Sequence, residues 1–359
     1  MLKLKRFDQN INDLLINIYG MNQTSLFFEQ AEISEYIAKL EMKSSRPLNK
    51  KSKRNSSGNR ILSKADLCQM LLTVADIFKD SGSFEISKTL YKKCIRVGKG
   101  LKDKNCLGKS LFHRGNLLFL TENIKEAKKD FQYCKKYTTL KSLKLLAEYS
   151  LGLISLTTNS YKDALIHFRR VLSSPQSNVH NSLIGNSLLN TGIALFFSGK
   201  VKDSQSFLTN SIGHLSNSGN INQLVIAHYF LGYVYLYLNN YNDAIKDYDQ
   251  ALQLSSEVND RSIMGLIDLA KAKVSFLSDD YKLSLKYLNK AISDFQYSKT
   301  ETPLAESLHI KGLIYKILKK TNLAKGYIQA SKRIFQSKNE SFELVTPYFD
   351  YKYLKTFDE

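Results

Sequence analysis

The residue types that most often do chemistry are present, but their spacing does not suit it. Gly108, Lys109 and Ser110 match the end of the phosphate-loop pattern G-x-x-x-x-G-K-[ST], yet Asp103 stands where its first glycine is required. The six histidines form no H-E-x-x-H motif and pair with no cysteine at zinc-ligand spacing. The sequence therefore predicts no catalytic residue, no metal site and no cofactor, and it places the Gly-Lys-Ser run in a turn between repeats.

The four cysteines Cys68, Cys94, Cys106 and Cys134 contain no C-x-x-C pair. That spacing predicts neither a disulfide framework nor a zinc site, and it favours a reducing compartment. The basic N-terminus is followed by no apolar signal-peptide core, and no run approaches the 18 apolar residues of a membrane span. We expect a cytoplasmic protein without membrane insertion.

A small residue recurs along most of the chain at nearly constant spacing. Successive intervals are 40, 37, 40, 40, 40 and 40 residues, which indicates a repeat architecture. The recurring positions are Ala75, Gly115, Gly152, Gly192, Gly232, Ala272 and Gly312.

Two further positions keep step with this marker. Twelve residues after it comes a second small residue, such as Ala244, and sixteen residues after it comes a large apolar one, such as Tyr248. Small residues allow two helix axes to approach to about 8–10 Å, and the large side chain fills the adjoining gap. The pattern predicts an all-α array of antiparallel helix pairs, with Gly232 and its equivalents at the contacts.

The residues at these positions resemble the tetratricopeptide repeat, whose signature joins W-x2-L-G-x2-Y to A-x3-F-x2-A. The best copy combines LGYVY, residues 231–235, with AIKDYDQA, residues 244–251. The resemblance implies a right-handed α-solenoid of about seven helix-turn-helix repeats. Its long units are similar to those of kinesin light chains, Pins-type adaptors and Rap regulators, which hold peptides or partner helices. A protein or peptide ligand is the partner that this resemblance implies, without catalysis.

In the register of that family, the first helix of each repeat lines a concave groove. Tyr229, Tyr233 and Tyr237 then recur four residues apart on the groove face, which predicts a contact patch for a partner. The alternative is that the long helices pack more deeply and cover these side chains. The groove residues in this register are Phe112, His113, Asn116, Tyr149, Asn190, Phe196, Phe197, Tyr229, Phe230, Tyr233, Tyr237, Lys273 and Phe276.

The predicted array covers residues 61–340, and three further segments flank it. Residues 1–42 form an amphipathic helical segment, residues 43–60 a basic flexible linker, and residues 341–359 a cap over the last repeat. The basic residues of the linker are Arg46, Lys50, Lys51, Lys53, Arg54 and Arg60. One hypothesis is that the N-terminal segment folds back across the groove and competes with a partner there.

The net charge of +19 predicts attraction to an anionic partner but does not identify it. The main hypothesis is a non-catalytic interaction scaffold that binds a peptide or an amphipathic helix in the groove. The alternative is a nucleic-acid-associated repeat protein that uses the basic linker and the outer helices, with residues 50–54 as a nuclear import signal in a eukaryote. Self-association is a further hypothesis that no particular residue decides.

Overall fold

The computed structural model describes residues 64–175 and 181–337. Within these ranges it contains fourteen α-helices and no β-strand, which confirms the predicted all-α fold. The segments predicted at 1–42, 43–60 and 341–359 lie outside the described residues. The helices are α1 (Lys64–Asp80), α2 (Phe84–Leu101), α3 (Lys104–Leu120), α4 (Ile124–Tyr137), α5 (Lys141–Thr157), α6 (Tyr161–Leu172), α7 (Asn181–Phe197), α8 (Val201–Ser218), α9 (Ile221–Tyr237), α10 (Tyr241–Val258), α11 (Arg261–Leu277), α12 (Tyr281–Ser298), α13 (Glu301–Ile317) and α14 (Thr321–Ser337).

The helices fall into two compact units. Residues 64–154 belong to the N-terminal unit, and residues 155–173 and 181–337 belong to the C-terminal unit. In the N-terminal unit α1 packs on α2 and α3 on α4, while α2 also contacts α3. In the C-terminal unit the hairpins α7–α8, α9–α10, α11–α12 and α13–α14 follow one another in the same way. The described chain is an all-α solenoid of helix pairs.

The recurring glycines lie where two helices of one hairpin touch. A Cβ atom on Gly232 would lie 2.8 Å from Cε1 of Tyr248, which is closer than real Cβ contacts. Glycine at this position costs about 1 kcal/mol of helix propensity relative to alanine. In return, it allows the two helices of the hairpin to pack closely. Equivalent contacts, each between residues sixteen apart, are Gly115 with Phe131, Gly192 with Leu208 and Gly312 with Ile328.

The second small position, twelve residues after the marker, faces the backbone of the first helix. Where it is serine, its hydroxyl donates a hydrogen bond to the carbonyl oxygen of the marker residue. The donor–acceptor distance is 2.7 Å from Ser87 to Ala75, 2.7 Å from Ser204 to Gly192 and 2.8 Å from Ser284 to Ala272. These serines are fully buried. The hydroxyl is thus satisfied locally, so serine and alanine serve equally well at this position.

The turn inside every hairpin contains one residue with positive φ, seven residues after the marker. It is Gly82 or Gly199 in two hairpins and Asn159, Asn239 or Asp279 in three others. The remaining two are Glu122 at φ 59° and Lys319 at φ 57°. Asparagine and aspartate tolerate this conformation better than most residues, which explains why they are frequent here. The turn geometry therefore repeats throughout the described array.

The cysteine interpretation is wrong for one pair. Cys68 in α1 and Cys106 in α3 form a disulfide, with their Cα atoms 7.0 Å apart. Their sequence separation of 38 residues is close to the repeat length, so stacking of successive first helices brings them together. Cys94 and Cys134 are free and buried, as predicted, and burial raises the pKa of each thiol to about 12. These two are core residues.

Candidate functional site

Six aromatic residues on α7 and α9 form one cluster in the C-terminal unit. The ring centroid of Phe196 lies 5.3 Å from that of Tyr233 and 5.6 Å from that of Tyr237, both in edge-to-face geometry. Phe197 contacts Phe230 at 6.5 Å. Edge-to-face pairs of this kind contribute about 0.5–1.5 kcal/mol beyond area burial. The members of this aromatic cluster are Phe196, Phe197, Tyr229, Phe230, Tyr233 and Tyr237.

Exposure divides the cluster into a base and an edge. Phe196, Phe197 and Phe230 are at most 6% exposed, so in this structure they pack rather than face solvent. Tyr233 is half-buried and Tyr237 is 37% exposed. The first helices pack more deeply than an open groove requires, and Tyr233 and Tyr237 form the accessible edge.

Tyr229 lies beneath that edge. Its ring centroid is 5.9 Å from that of Tyr248, the side chain that contacts Gly232. Burial raises the pKa of Tyr229, and the nearby charge of Glu306 raises it further. Burial also raises the pKa of Tyr248. Both phenols stay neutral, and their role in this structure is packing.

Lys273, a predicted groove residue, does not present a free positive charge. Its ammonium group forms an ion pair with Glu306 of the next first helix, and both side chains are almost completely buried. Burial raises the pKa of Glu306 although Lys273 opposes the shift. Two other predicted positions, Phe276 and Asn190, are fully buried. The Asn190 side chain donates a hydrogen bond to the Asn186 carbonyl at 2.8 Å.

Four predicted groove residues lie in the N-terminal unit. His113 Nδ1 is 3.0 Å from Asp76 Oδ1, which also accepts a hydrogen bond from the Tyr91 hydroxyl. Burial alone would raise the pKa of Asp76, but His113, Tyr91 and nearby Lys79 outweigh it and lower the pKa. In this structure the His113 side chain therefore links α3 to α1 through Asp76.

The remaining three positions differ in exposure. Phe112 packs on Phe131 with ring centroids 5.7 Å apart, and Tyr149 is buried. Asn116 is half-buried. A contact role for the predicted groove residues stays a prediction. Tyr237 is the most exposed of them, and those that are partly exposed are Phe112, His113, Asn116, Tyr229, Tyr233 and Lys273.

The motifs considered for catalysis do not form a site in the described residues. Gly108, Lys109 and Ser110 lie inside α3, so the expectation that they form a turn is wrong, and they are no phosphate loop. Residues 64–175 and 181–337 contain no group of three or more His, Cys, Asp or Glu that could hold a metal ion. None of the described helices has the length and apolar content needed to cross a bilayer. The six basic linker residues lie outside the described ranges.

Comparison with known proteins identifies the type of repeat. Residues 225–257, which cover most of α9 and α10, match the family model of the tetratricopeptide repeat. Three other hairpins share its close glycine contact, and all the described hairpins share its turn geometry. The hairpin α9–α10 therefore matches the tetratricopeptide repeat, and the chain as a whole resembles an array of such repeats with long units. No curated protein sequence matches it significantly.

Solved structures share the fold at low sequence identity. The apo form of RapI has a TM-score of 0.63 and 14% identity, covering 79% of this chain and 80% of that one. Aspartyl phosphate phosphatase F from Bacillus subtilis has a TM-score of 0.55 and 13% identity, covering 91% and 93%. NprR in complex with its cognate peptide NprX has a TM-score of 0.55 and 15% identity, covering 81% and 84%. The predicted similarity to Rap regulators is confirmed at the level of the fold.

Proposed function

We propose that the chain is a non-catalytic scaffold or regulatory adaptor that binds a peptide or an amphipathic helix of a partner protein. The binding surface in this proposal is the set of first helices of the C-terminal unit. The observation that carries it is the accessible edge of Tyr233 and Tyr237, four residues apart on α9 and supported from below by Phe196. Rigid, partly exposed aromatics on a packed base are typical of binding hot spots.

The chemistry of this edge suits an apolar ligand with some polar character. Tyrosine provides a large contact area and a hydroxyl group at a small cost in side-chain entropy. Side chains four residues apart on α9 match the i, i+4 spacing of an amphipathic helix. The NprR–NprX complex gives a precedent for peptide binding on this fold.

The absence of catalysis is part of the proposal, because one structure with this fold is that of a phosphatase. Two observations support it. Lys273 and Glu306 form an ion pair with each other, and the Asp76 carboxylate is hydrogen-bonded to His113 and Tyr91. Neither group is arranged as a nucleophile with its base.

The experiment is affinity capture from nuclease-treated native extract, with identification of bound proteins by mass spectrometry. Wild type is compared with Tyr233→Ala/Tyr237→Ala. We expect a protein partner that the double variant loses. The matched control is Tyr297→Ala on second helix α12, because Tyr297 is 74% exposed and outside the aromatic cluster. The control should keep the partner.

Two outcomes would reject this site. Identical proteins bound to wild type and to the double variant would show that the edge makes no contact. Binding of nuclease-sensitive material alone, with affinity that falls steeply as salt rises, would support the nucleic-acid alternative. Circular dichroism of both variants checks that the helices remain folded.

A further inference from the structure

A second surface lies in the N-terminal unit, between two second helices. Helices α2 and α4 flank α3 and leave a cavity of about 650 Å³, the α2–α4 cleft. One rim is formed by Lys88, Lys92 and Lys99 on α2. The other rim includes Lys129 and Tyr133 on α4. Basic side chains therefore lie on both sides of the cleft.

The floor of the cleft combines apolar side chains with one ion pair. Ile95, Leu107 and Leu111 contribute apolar surface. Arg114 donates two hydrogen bonds of 2.7 Å to the two carboxylate oxygens of Asp130, which is buried. Because this pair is bidentate and neutral overall, the net positive charge of the cleft comes from its rims, where four lysines outnumber Glu126 on α4.

Three of the rim lysines are free to bind an acidic ligand. Lys92, Lys99 and Lys129 are exposed, and no described carboxylate lies within 4.0 Å of their ammonium groups. Tyr133 is 48% exposed and stacks on Tyr137 at 6.1 Å between ring centroids. An apolar floor between basic rims, with one exposed and one half-buried tyrosine, fits an amphipathic segment that carries acidic side chains.

The chain itself contains a segment of that composition. Residues 25–42, SLFFEQAEISEYIAKLEM, carry Glu29, Glu32, Glu35 and Glu41 against one lysine. Leu26, Ile33, Tyr36, Ile37 and Leu40 follow helical spacing and would form one apolar stripe, which Glu29 interrupts near its N-terminal end. The basic residues 43–60 cannot take this place, because like charges would face the rim lysines.

We propose that residues 25–42 dock in the α2–α4 cleft of their own chain. Residues 43–63 would then connect the docked segment to α1, which packs on α2 and α3. If these 21 residues behave as a random coil, their root-mean-square span is about 25 Å, which is enough to cross two neighbouring helices. The tether also keeps the local concentration of the segment near the millimolar range, so weak contacts suffice.

The test is zero-length carboxyl–amine cross-linking of the full-length chain with a carbodiimide, followed by peptide mapping. We expect cross-links from Glu29, Glu32 or Glu35 to Lys92, Lys99 or Lys129. In the Lys92→Glu/Lys129→Glu variant, the yield to Lys99 should fall about tenfold, since two favourable charge pairs become repulsive. The matched control is Lys125→Glu/Lys128→Glu, which changes two exposed α4 lysines outside the cleft and should leave the yield unchanged.

Charge exchange separates docking from a folding defect. Adding Glu29→Lys, Glu32→Lys and Glu35→Lys to the Lys92→Glu/Lys129→Glu variant should restore cross-linking between the exchanged residues. Cross-links of equal yield to cleft and control lysines, or none to the cleft, would overturn the proposal. Mixing unlabelled with nitrogen-15-labelled chains reports the source, and a product joining two chains would assign the cleft to a second copy instead. Binding of RNA or DNA that only the cleft variant loses, without any cross-link, would assign it to nucleic acid.

Discussion

The α2–α4 cleft has an equivalent in the C-terminal unit, between α10 and α12, and the two are built differently. A cation stands directly before the marker residue in both, Arg114 in the first and Lys271 in the second. Arg114 takes its carboxylate from Asp130 of its own hairpin. Lys271 takes its carboxylate from Asp249 of the preceding hairpin and lies 4.4 Å from the ring centroid of Tyr287.

The two clefts differ in ion pairing because two equivalent repeat positions carry different residue types. Lys92 occupies the position of Asp249, and Asp130 occupies that of Tyr287. A tyrosine and an acid from opposite sides cover Lys271, which is only 5% exposed. In the N-terminal unit a small aspartate replaces the aromatic ring and the facing residue is basic. The cleft there stays open and positive, because neither an aromatic ring nor an acceptor from the preceding hairpin covers its cation.

A third cleft, between α12 and α14, shows which part of the second arrangement matters. Lys311 donates a hydrogen bond of 2.7 Å to the Asn289 side chain, and it lies 4.5 Å from the ring centroid of Tyr327. Asn289 is equivalent to Asp249, so a neutral acceptor together with a tyrosine also covers the cation. The aromatic ring is common to both closed clefts.

The largest effect should follow from removing the acid of the open cleft. Asp130→Ala leaves the Arg114 guanidinium, which is mostly buried, without its bidentate partner. Loss of one member of such a pair costs about 2–3 kcal/mol when the remaining charge keeps some access to water. Native-state hydrogen exchange should show that free-energy loss in the opening of α3 and α4.

A rescue variant and a surface control sharpen this prediction. Adding Lys92→Asp to Asp130→Ala puts a carboxylate in the position that Asp249 holds in the closed cleft, and it should recover part of the loss. Asp243→Ala breaks a surface ion pair with Lys246 on another hairpin and should leave the protection of α3 and α4 unchanged. If Asp130→Ala leaves the exchange of α3 and α4 unchanged, Arg114 is solvated and the two clefts do not differ as described.

A smaller effect is expected at Asp268, which lies against the closed cleft. Asp268 is 3% exposed, and burial raises its pKa to about 6 although Lys290 and Lys271 oppose the shift. Asp294 and Asp249 add to it. The folded state favours protonated Asp268, because its pKa is raised there. The contribution of Asp268 to folding stability is therefore fully present below the unfolded pKa of 3.8, and it is lost as the pH rises through about 6.

Asp268→Asn removes that charge while keeping the shape of the side chain. We expect it to stabilise the C-terminal unit by about 1–2 kcal/mol at pH 7. The effect should be only about 0.2 kcal/mol at pH 3.5, where the aspartate is protonated in the folded state and mostly protonated in the unfolded state. Thermal unfolding of wild type and variant at the two pH values measures this. An equal shift at both pH values would mean that packing, not titration, is responsible.

Sequence spacing predicted the packing of each hairpin because those contacts are local and periodic. The sixteen-residue separation of Gly232 and Tyr248 is visible without a structure. The same separation joins Arg114 to Asp130, so the floor of the open cleft could have been found by extending the register one position. At that position in the repeat, opposite charges sixteen residues apart indicate the contact, whereas small and large residues indicate it at the marker.

The depth of burial on the first helices could not be predicted in this way. Phe196 and Phe230 are buried and contact aromatic rings of the neighbouring first helix, about one repeat away in sequence. A single helical wheel assigns each residue a direction but does not say how closely the next hairpin approaches. The Cys68–Cys106 disulfide was not predicted for the same reason, because it joins successive first helices.

The smallest effect tests whether the acid of the closed cleft is needed at all. Asp249→Asn reproduces the arrangement that Asn289 has with Lys311. Because Asp249 is 53% exposed in its side chain and Tyr287 stays in place, the loss should be about 0.5 kcal/mol. Asp249→Ala should cost more, since Lys271 would keep only the aromatic ring. Urea unfolding of the two variants compares them: equal losses would mean that the amide does not replace the carboxylate, and that Tyr287 alone closes the cleft.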